Sequence, residues 1–312
     1  MKKKYSLWTS ADYLKFSLLI ILCLNCSSNE ISESNNIFEY YSTQSKYTDP
    51  GKYVHLYDGI PAKIDDIVSI VQGVLVHLAQ VEEQHLPFPK NQIDRGLGCS
   101  SVKKMLRNIS KLDNRNLVFK RPIKKRSVGI CTHFAMLTCS LLRHNNIPAR
   151  CRGGFETYFS SNKHHDHWIC EYWNSEENRW VRIDPEVNDF FNNKFSVPAS
   201  NLDLPDSVFK SGAQVWKECR NGEADPTHFG ISGDHWYGGW DFVVNEIVLD
   251  FLALNKIELL PWDGNKLSEK GYDKLNRNDF ILLDKAAKFS KADNENFKKM
   301  RSFYKTNKKF HK

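Results

Sequence analysis

The chain has 312 residues, enough for one large domain or two ordinary ones, and its 41% apolar and 26% charged content is an ordinary globular balance. Twelve per cent aromatics, eight of them Trp residues in number, exclude wholesale disorder, because such a chain can bury a substantial core. The net charge of +7 is concentrated at Lys103-Lys104, between Lys120 and Arg126 and from Lys285 to Lys312; with no aromatic-interleaved RNA motif, zinc finger or helix-turn-helix pattern beside it, it reads as a solvated basic face and tail, and no nucleic-acid partner is expected.

Residues 1–26 have the layout of a leader: Lys2, Lys3 and Lys4, then the short apolar run from Phe16 to Leu24, then Cys26-Ser27-Ser28. The run is about half of what a spanning helix needs, so a secretory signal fits better than a transmembrane anchor, and Cys26 is the candidate for a lipid anchor of lipoprotein type. This leader slightly favours an exported or membrane-anchored place in a bacterial envelope over the cytoplasm. Residues 27–50 are polar and rich in Ser and Asn, and they read as a tether.

From there, Ile64, Ile67, Val68, Val71, Val74, Leu75 and Leu78 recur at helical spacing and predict a helix over 64–78. Val102, Met105, Leu106 and Ile109 predict a second. Phe134, Leu137, Leu141 and Leu142 make 131–144 a helix that closes before Pro148. Three short segments follow, 149–159, 167–173 and 179–184, rich in aromatic and branched residues, and they read as strands, the last two as an antiparallel hairpin. Residues 243–254 predict another helix. Past Trp262 the chain turns Lys- and Asn-rich with weak periodicity near 282–289, so 266–312 reads as a basic tail and 51–265 as the folded domain. The fold class is α+β, one domain of helices and sheet.

Beyond the leader lie Cys99, Cys131, Cys139, Cys151, Cys170 and Cys219, with no paired spacing that suggests disulfides, which suits a reducing compartment or a fold that does not need staples. A lone buried Cys is ordinarily a small hydrophobe. Cys131 is different because it opens an apolar helix directly after Gly129-Ile130, where unpaired N–H groups stabilise a thiolate. A thiol nucleophile needs a base, and the base needs an orienting group. Alternation along the hairpin places His167 and Asp184 on one surface if their register is direct or shifted by two residues. The cluster His164-His165-Asp166-His167 in the sequence, with Cys151 and Cys170, raises a zinc alternative, but its spacing matches no common structural zinc pattern.

The stretch Gly129-Ile130-Cys131-Thr132-His133-Phe134-Ala135, continuing to Ile147-Pro148-Ala149-Arg150, resembles the nucleophile helix of the transglutaminase-like superfamily. His167-Trp168-Ile169-Cys170-Glu171-Tyr172 is similar to its His strand, and Trp180-Val181-Arg182-Ile183-Asp184-Pro185 to its Asp strand. Asn145-Asn146 stands where the family usually has a small residue and glycine, a substitution Asn tolerates because it accepts left-handed backbone. The resemblance implies a papain-like core with Cys131 as nucleophile, His167 as base and Asp184 as orienter. It implies acyl transfer or hydrolysis on an amide, either a glutamine side chain or a peptide bond, through a thioester, with a protein or peptide substrate. Gln72 or a Trp is the candidate second oxyanion donor beside the Cys131 N–H. No acidic run resembles an animal transglutaminase calcium site, so no metal and no cofactor are expected. The rival reading is a non-catalytic binding module on the same fold, tethered to a membrane.

Overall fold

The computed structural model describes residues 36–311 except 161, 196, 198, 199, 233, 234, 292 and 293, so the expected leader and Cys26 lie outside the described residues. The first described segment corrects the reading of a tether over residues 36–50. Helix α1 (Ile37–Ser42) starts at Asn36, whose side chain accepts from the N–H of Phe38, and it buries Ile37 and Tyr41. The Tyr41 hydroxyl donates to the carbonyl oxygen of Leu254 over 2.8 Å, and the Ser45 hydroxyl donates to Glu258 over 2.8 Å. A polar composition misleads here because a few large side chains dock on a surface made some two hundred residues downstream. Tyr41→Phe is expected to cost about 1–2 kcal/mol, the worth of one buried hydrogen bond and its stranded acceptor. Chemical denaturation checks this, and no change in midpoint would restore the tether.

Helix α2 (Ile64–Val74) follows the predicted apolar spacing but ends four residues early. Leu75–His77 is instead strand β1, paired in parallel with β2 (Ser127–Gly129), which sets His77 opposite Gly129. Helices α3 (Leu78–Glu83), α4 (Lys90–Leu97) and α5 (Val102–Leu112) lie between these two strands in the chain. A Cβ on Gly96 would sit 2.2 Å from the carbonyl oxygen of Val128, so glycine is what lets α4 lie against β2.

β2 leads into α6 (Cys131–His144), in which every residue from Cys131 to Arg143 is buried. The helix ends as expected: Asn146 takes the left-handed backbone, with φ of 58°. The chain then runs through β3 (Ala149–Glu156), β4 (His164–Asn174) and β5 (Arg179–Ile183), close to the three predicted strands. Cys170 pairs with Ile183 and Glu171 with Arg182, so continuing the register sets Asp184 across from Ile169, two residues from His167. The two-residue shift is the one present.

The remaining elements are α7 (Asp189–Lys194), β6 (Phe209–Ser211), α8 (Gly212–Arg220), β7 (Phe229–Ser232), β8 (Trp236–Gly238), α9 (Trp240–Leu254), α10 (Arg277–Phe289) and α11 (Asn294–Thr306). The main sheet runs β6-β3-β4-β7-β8, with β5 also on β4. The long strand β4 is therefore shared: its start lies parallel to β7 and its end antiparallel to β5. The buried helix α6 packs on β3 and β4, and α9 packs on β3 and α8. This is the expected α+β class.

The reading of 266–312 as a tail is also corrected. α10 and α11 bury Leu283, Ala286, Ala287, Phe297 and Met300, and Phe310 is 1% exposed against Phe251, with ring centroids 4.7 Å apart. The lysines that dominate the composition face outward or pair, as Lys309 does with Asp279 over 2.6 Å, while sparse apolar anchors carry the packing. Among the described residues no helix is long and apolar enough to cross a membrane.

Candidate active site

The chain turns from extended Ile130 directly into α6, so Cys131 occupies the first helical position. The ring of His133 reaches back, its Nδ1 accepting from the N–H of Ile130 over 3.2 Å, and this fixes the entry angle of the helix. Cys131 is 8% exposed. It borders a cavity of about 660 Å³ that is also lined by His77, Phe159, Lys163, His167, Glu186 and Phe191. At that position the leading N–H groups of a fourteen-residue helix have no intrahelical acceptor and favour negative charge.

β4 brings His167 to the same cavity, at a point where its partner on β3 is Gly154. His167 Nε2 donates to Asp184 Oδ2 over 2.7 Å. That bond leaves Nδ1 as the nitrogen available to a thiol. The Cys131 sulfur, a His167 ring nitrogen and a Glu186 carboxyl oxygen all lie within 4.8 Å of one another. The three residues read from the sequence are thus brought together, although they come from a helix start, a strand interior and a strand end.

Asp184 is fully buried and held on both oxygens. Oδ2 also accepts from the Tyr158 hydroxyl, and Oδ1 accepts from the N–H of Glu186 over 3.0 Å. Burial alone would raise its pKa, but the charge and hydrogen bond of His167, with the Tyr158 hydroxyl, lower it below the usual carboxylate range. Burial likewise opposes a charged His167, and the Asp184 carboxylate outweighs it, so the imidazole pKa goes well up. Burial pushes the Cys131 thiol up to about 11, with the His167 hydrogen bond and charge pulling the other way. A thiolate here therefore depends on its imidazole, because the buried setting by itself disfavours the charge.

Gln72 does not join this group. Its side-chain amide donates to the carbonyl oxygens of Pro185 and Val187, over 3.2 and 2.9 Å, and it lines a separate cavity with Lys120 and Arg126. The expectation of an oxyanion donor is replaced by a brace for the segment that follows Asp184. Among the described residues, Cys151 and Cys170 form no metal-holding group with the histidines of 164–167. Cys151 and Cys170 pair across β3 and β4 in the core, while His165 is engaged by Glu156 at 3.0 Å and Ser232 at 2.7 Å.

Three residues at the site were not anticipated: Tyr158, His77 and Glu186. His77 caps α3, its Nδ1 accepting from the N–H of Ala79 over 3.1 Å, which leaves the proton on Nε2. Burial lowers its pKa to about 3, so the ring is neutral. Glu186 is 2% exposed and its Oε2 has no hydrogen-bond partner. The Asp184-x-Glu186 spacing was visible in the sequence, but nothing local indicated that the second carboxyl is buried.

The family model described as the transglutaminase-like superfamily matches residues 110–185, a span that contains Cys131, His167 and Asp184. No curated protein and no solved structure matches the chain. The suspected transglutaminase-like core is present over that span, with the papain-like arrangement of a cysteine helix against a sheet that carries histidine and acid.

Proposed function

We propose that this chain is a cysteine-dependent enzyme that transfers or hydrolyses an acyl group drawn from an amide, through a thioester on Cys131. The observation that carries the reading is the 2.7 Å bond from His167 Nε2 to Asp184, which pins the imidazole while the Cys131 sulfur lies within 4.8 Å of a nitrogen of that ring. His167 takes the thiol proton, the sulfur attacks the amide carbon, and His167 returns the proton to the departing amine. The N–H of Cys131, at the first position of α6, is one donor to the developing oxyanion. Water then gives hydrolysis and an amine gives transamidation, since both resolve the same intermediate.

The acyl donor is a glutamine side chain or a peptide bond, and Phe159, Phe191 and Phe195 supply an apolar wall for what flanks it. The test is to incubate the protein with glutamine-containing peptides, quench in acid and weigh the intact chain, while ammonia is followed with and without an added primary amine. The expected result is an adduct on Cys131 that hydroxylamine removes and that Cys131→Ala lacks. Absence of any adduct across a broad peptide set, with a folded protein, favours the binding module instead.

A further inference from the structure

Glu186 is a buried carboxyl that the proposed chemistry has not yet used, and its surroundings are unusual. Its oxygen lies within 4.8 Å of the Cys131 sulfur and of a His167 ring nitrogen. His77 Nε2 lies 3.4 Å from its Oε2 without hydrogen-bonding it, so among the described residues Oε2 is unpartnered, in a residue that is 2% exposed. A buried carboxyl that keeps an unpartnered oxygen and lies beside a reactive sulfur is poised for something that arrives with the substrate.

The groups that face this carboxyl set its protonation. Asp184 lies on its own segment, Asp166 and His167 on β4, Glu156 on β3, His77 on β1 and Cys131 on α6. Three of these are carboxyls, His77 is neutral, and the charge of His167 is already engaged by Asp184. Burial, with Asp184, Glu156 and Asp166 adding to it and His167 opposing, pushes the Glu186 carboxyl up to about 8. Near neutrality it therefore carries a proton to donate.

We infer that Glu186 is a catalytic residue, the second oxyanion donor: its carboxyl O–H hydrogen-bonds the acyl oxygen as the Cys131 sulfur adds to the carbonyl. This rests on the proposed thiol chemistry. In the step, the S–C bond forms and the carbonyl π pair moves to oxygen. Glu186 shares its proton in a hydrogen bond without transferring it, and collapse restores the carbonyl and expels the leaving group. An acyl oxygen is one bond from the carbon that sulfur attacks, so a donor within 4.8 Å of the sulfur is placed to reach it. Loss of the Glu186 proton above about pH 8 would remove the donor and put a negative charge beside the oxyanion.

Two reactions of one sulfur separate this role from any effect on the thiol. Alkylation by iodoacetamide develops no oxyanion, whereas acylation by p-nitrophenyl acetate does. Both are followed on the full chain, with chelator present because Cys131, His167 and Glu186 also have the spacing to hold a metal ion. Glu186→Leu is expected to slow acylation roughly 10²- to 10³-fold while alkylation of Cys131 stays within about threefold. Glu186→Gln, which keeps a donor, is expected to acylate within about tenfold of the native rate and to lose the fall in rate above pH 8. Should Glu186→Leu acylate at the native rate, or slow both reactions equally, the inference is overturned and the thiol reading stands. If Glu186→Leu does not fold, the profile of Glu186→Gln decides: an alkaline fall that persists also overturns it. A native Cys131 that reacts with neither reagent sinks the thiol reading itself.

Discussion

Asp184→Asn is expected to lower acyl transfer by roughly 10⁴-fold, the largest effect of any single atom exchange in the site. The native carboxylate accepts from His167 Nε2 over 2.7 Å, which fixes the proton on that nitrogen and leaves Nδ1 unprotonated for the thiol. An asparagine of the same shape can turn its NH₂ toward the ring, and the imidazole then carries its proton on Nδ1. A ring that presents N–H to sulfur cannot take a proton from it. Loss of the charge also removes what holds the His167 pKa up, so the imidazolium of the attacking pair is no longer favoured. The measurement is the rate of Cys131 acylation beside the thermal unfolding midpoint. A fall smaller than tenfold in a folded variant would mean that Asp184 serves only to hold Tyr158 and the Glu186 backbone in place.

The second large effect is on stability. Glu171→Ala is expected to destabilise the protein by about 3–5 kcal/mol, because it removes the buried carboxylate that Arg150 and Arg152 share. Glu171 is 3% exposed and accepts from Arg150 Nε over 2.7 Å, from Arg152 over 3.2 Å and from Arg182 over 3.2 Å. Arg152 keeps Asp250 at 2.7 Å, and Arg150 keeps the face of Trp180, 3.8 Å from the ring centroid, but neither contact compensates the pair that is lost. Burial alone would raise the Glu171 pKa; Arg152, Arg150 and Arg182 outweigh it and hold the carboxyl far below the usual range. A depressed carboxylate contributes stability that is present above its unfolded pKa and is lost as pH falls through the folded one. The native protein should therefore lose stability from about pH 4 downward more steeply than Glu171→Ala does, a comparison read from denaturant midpoints across the acid range. Parallel acid limbs would show that the network adds nothing to the fold.

Much of the active-site architecture was legible in the sequence because its signals are local. The 3.6-residue spacing of Phe134, Leu137 and Leu141 marks α6, Asn146 accepts the left-handed turn that closes it, and alternation along β4 and β5 limits the register to two choices. What was missed depends on distant partners. Leu75–His77 continues a helical pattern but is captured by β2, fifty residues later, which no window of local periodicity detects. Tyr41 and Phe310 sit in polar or basic stretches and are buried by α9, so composition reported the solvent side of those segments and not the anchored side. Gln72 carries an amide suited to an oxyanion, but that amide turns to the carbonyls of Pro185 and Val187, which are more than a hundred residues away in the chain. Tyr158, His77 and Glu186 reach the cavity from three separate segments, and side-chain convergence of that kind is set by tertiary packing alone.

The most direct test is the rate at which iodoacetamide labels each cysteine of the native chain, resolved by mass spectrometry and compared with His167→Ala. Cys131 is expected to react far faster than Cys139, Cys151 and Cys170, which are fully buried, and to slow by roughly 10²- to 10⁴-fold once the imidazole is removed. If Cys131 is labelled only as fast as those core thiols, or equally fast with and without His167, the sulfur and the imidazole do not act as a pair, and the enzymatic account is wrong.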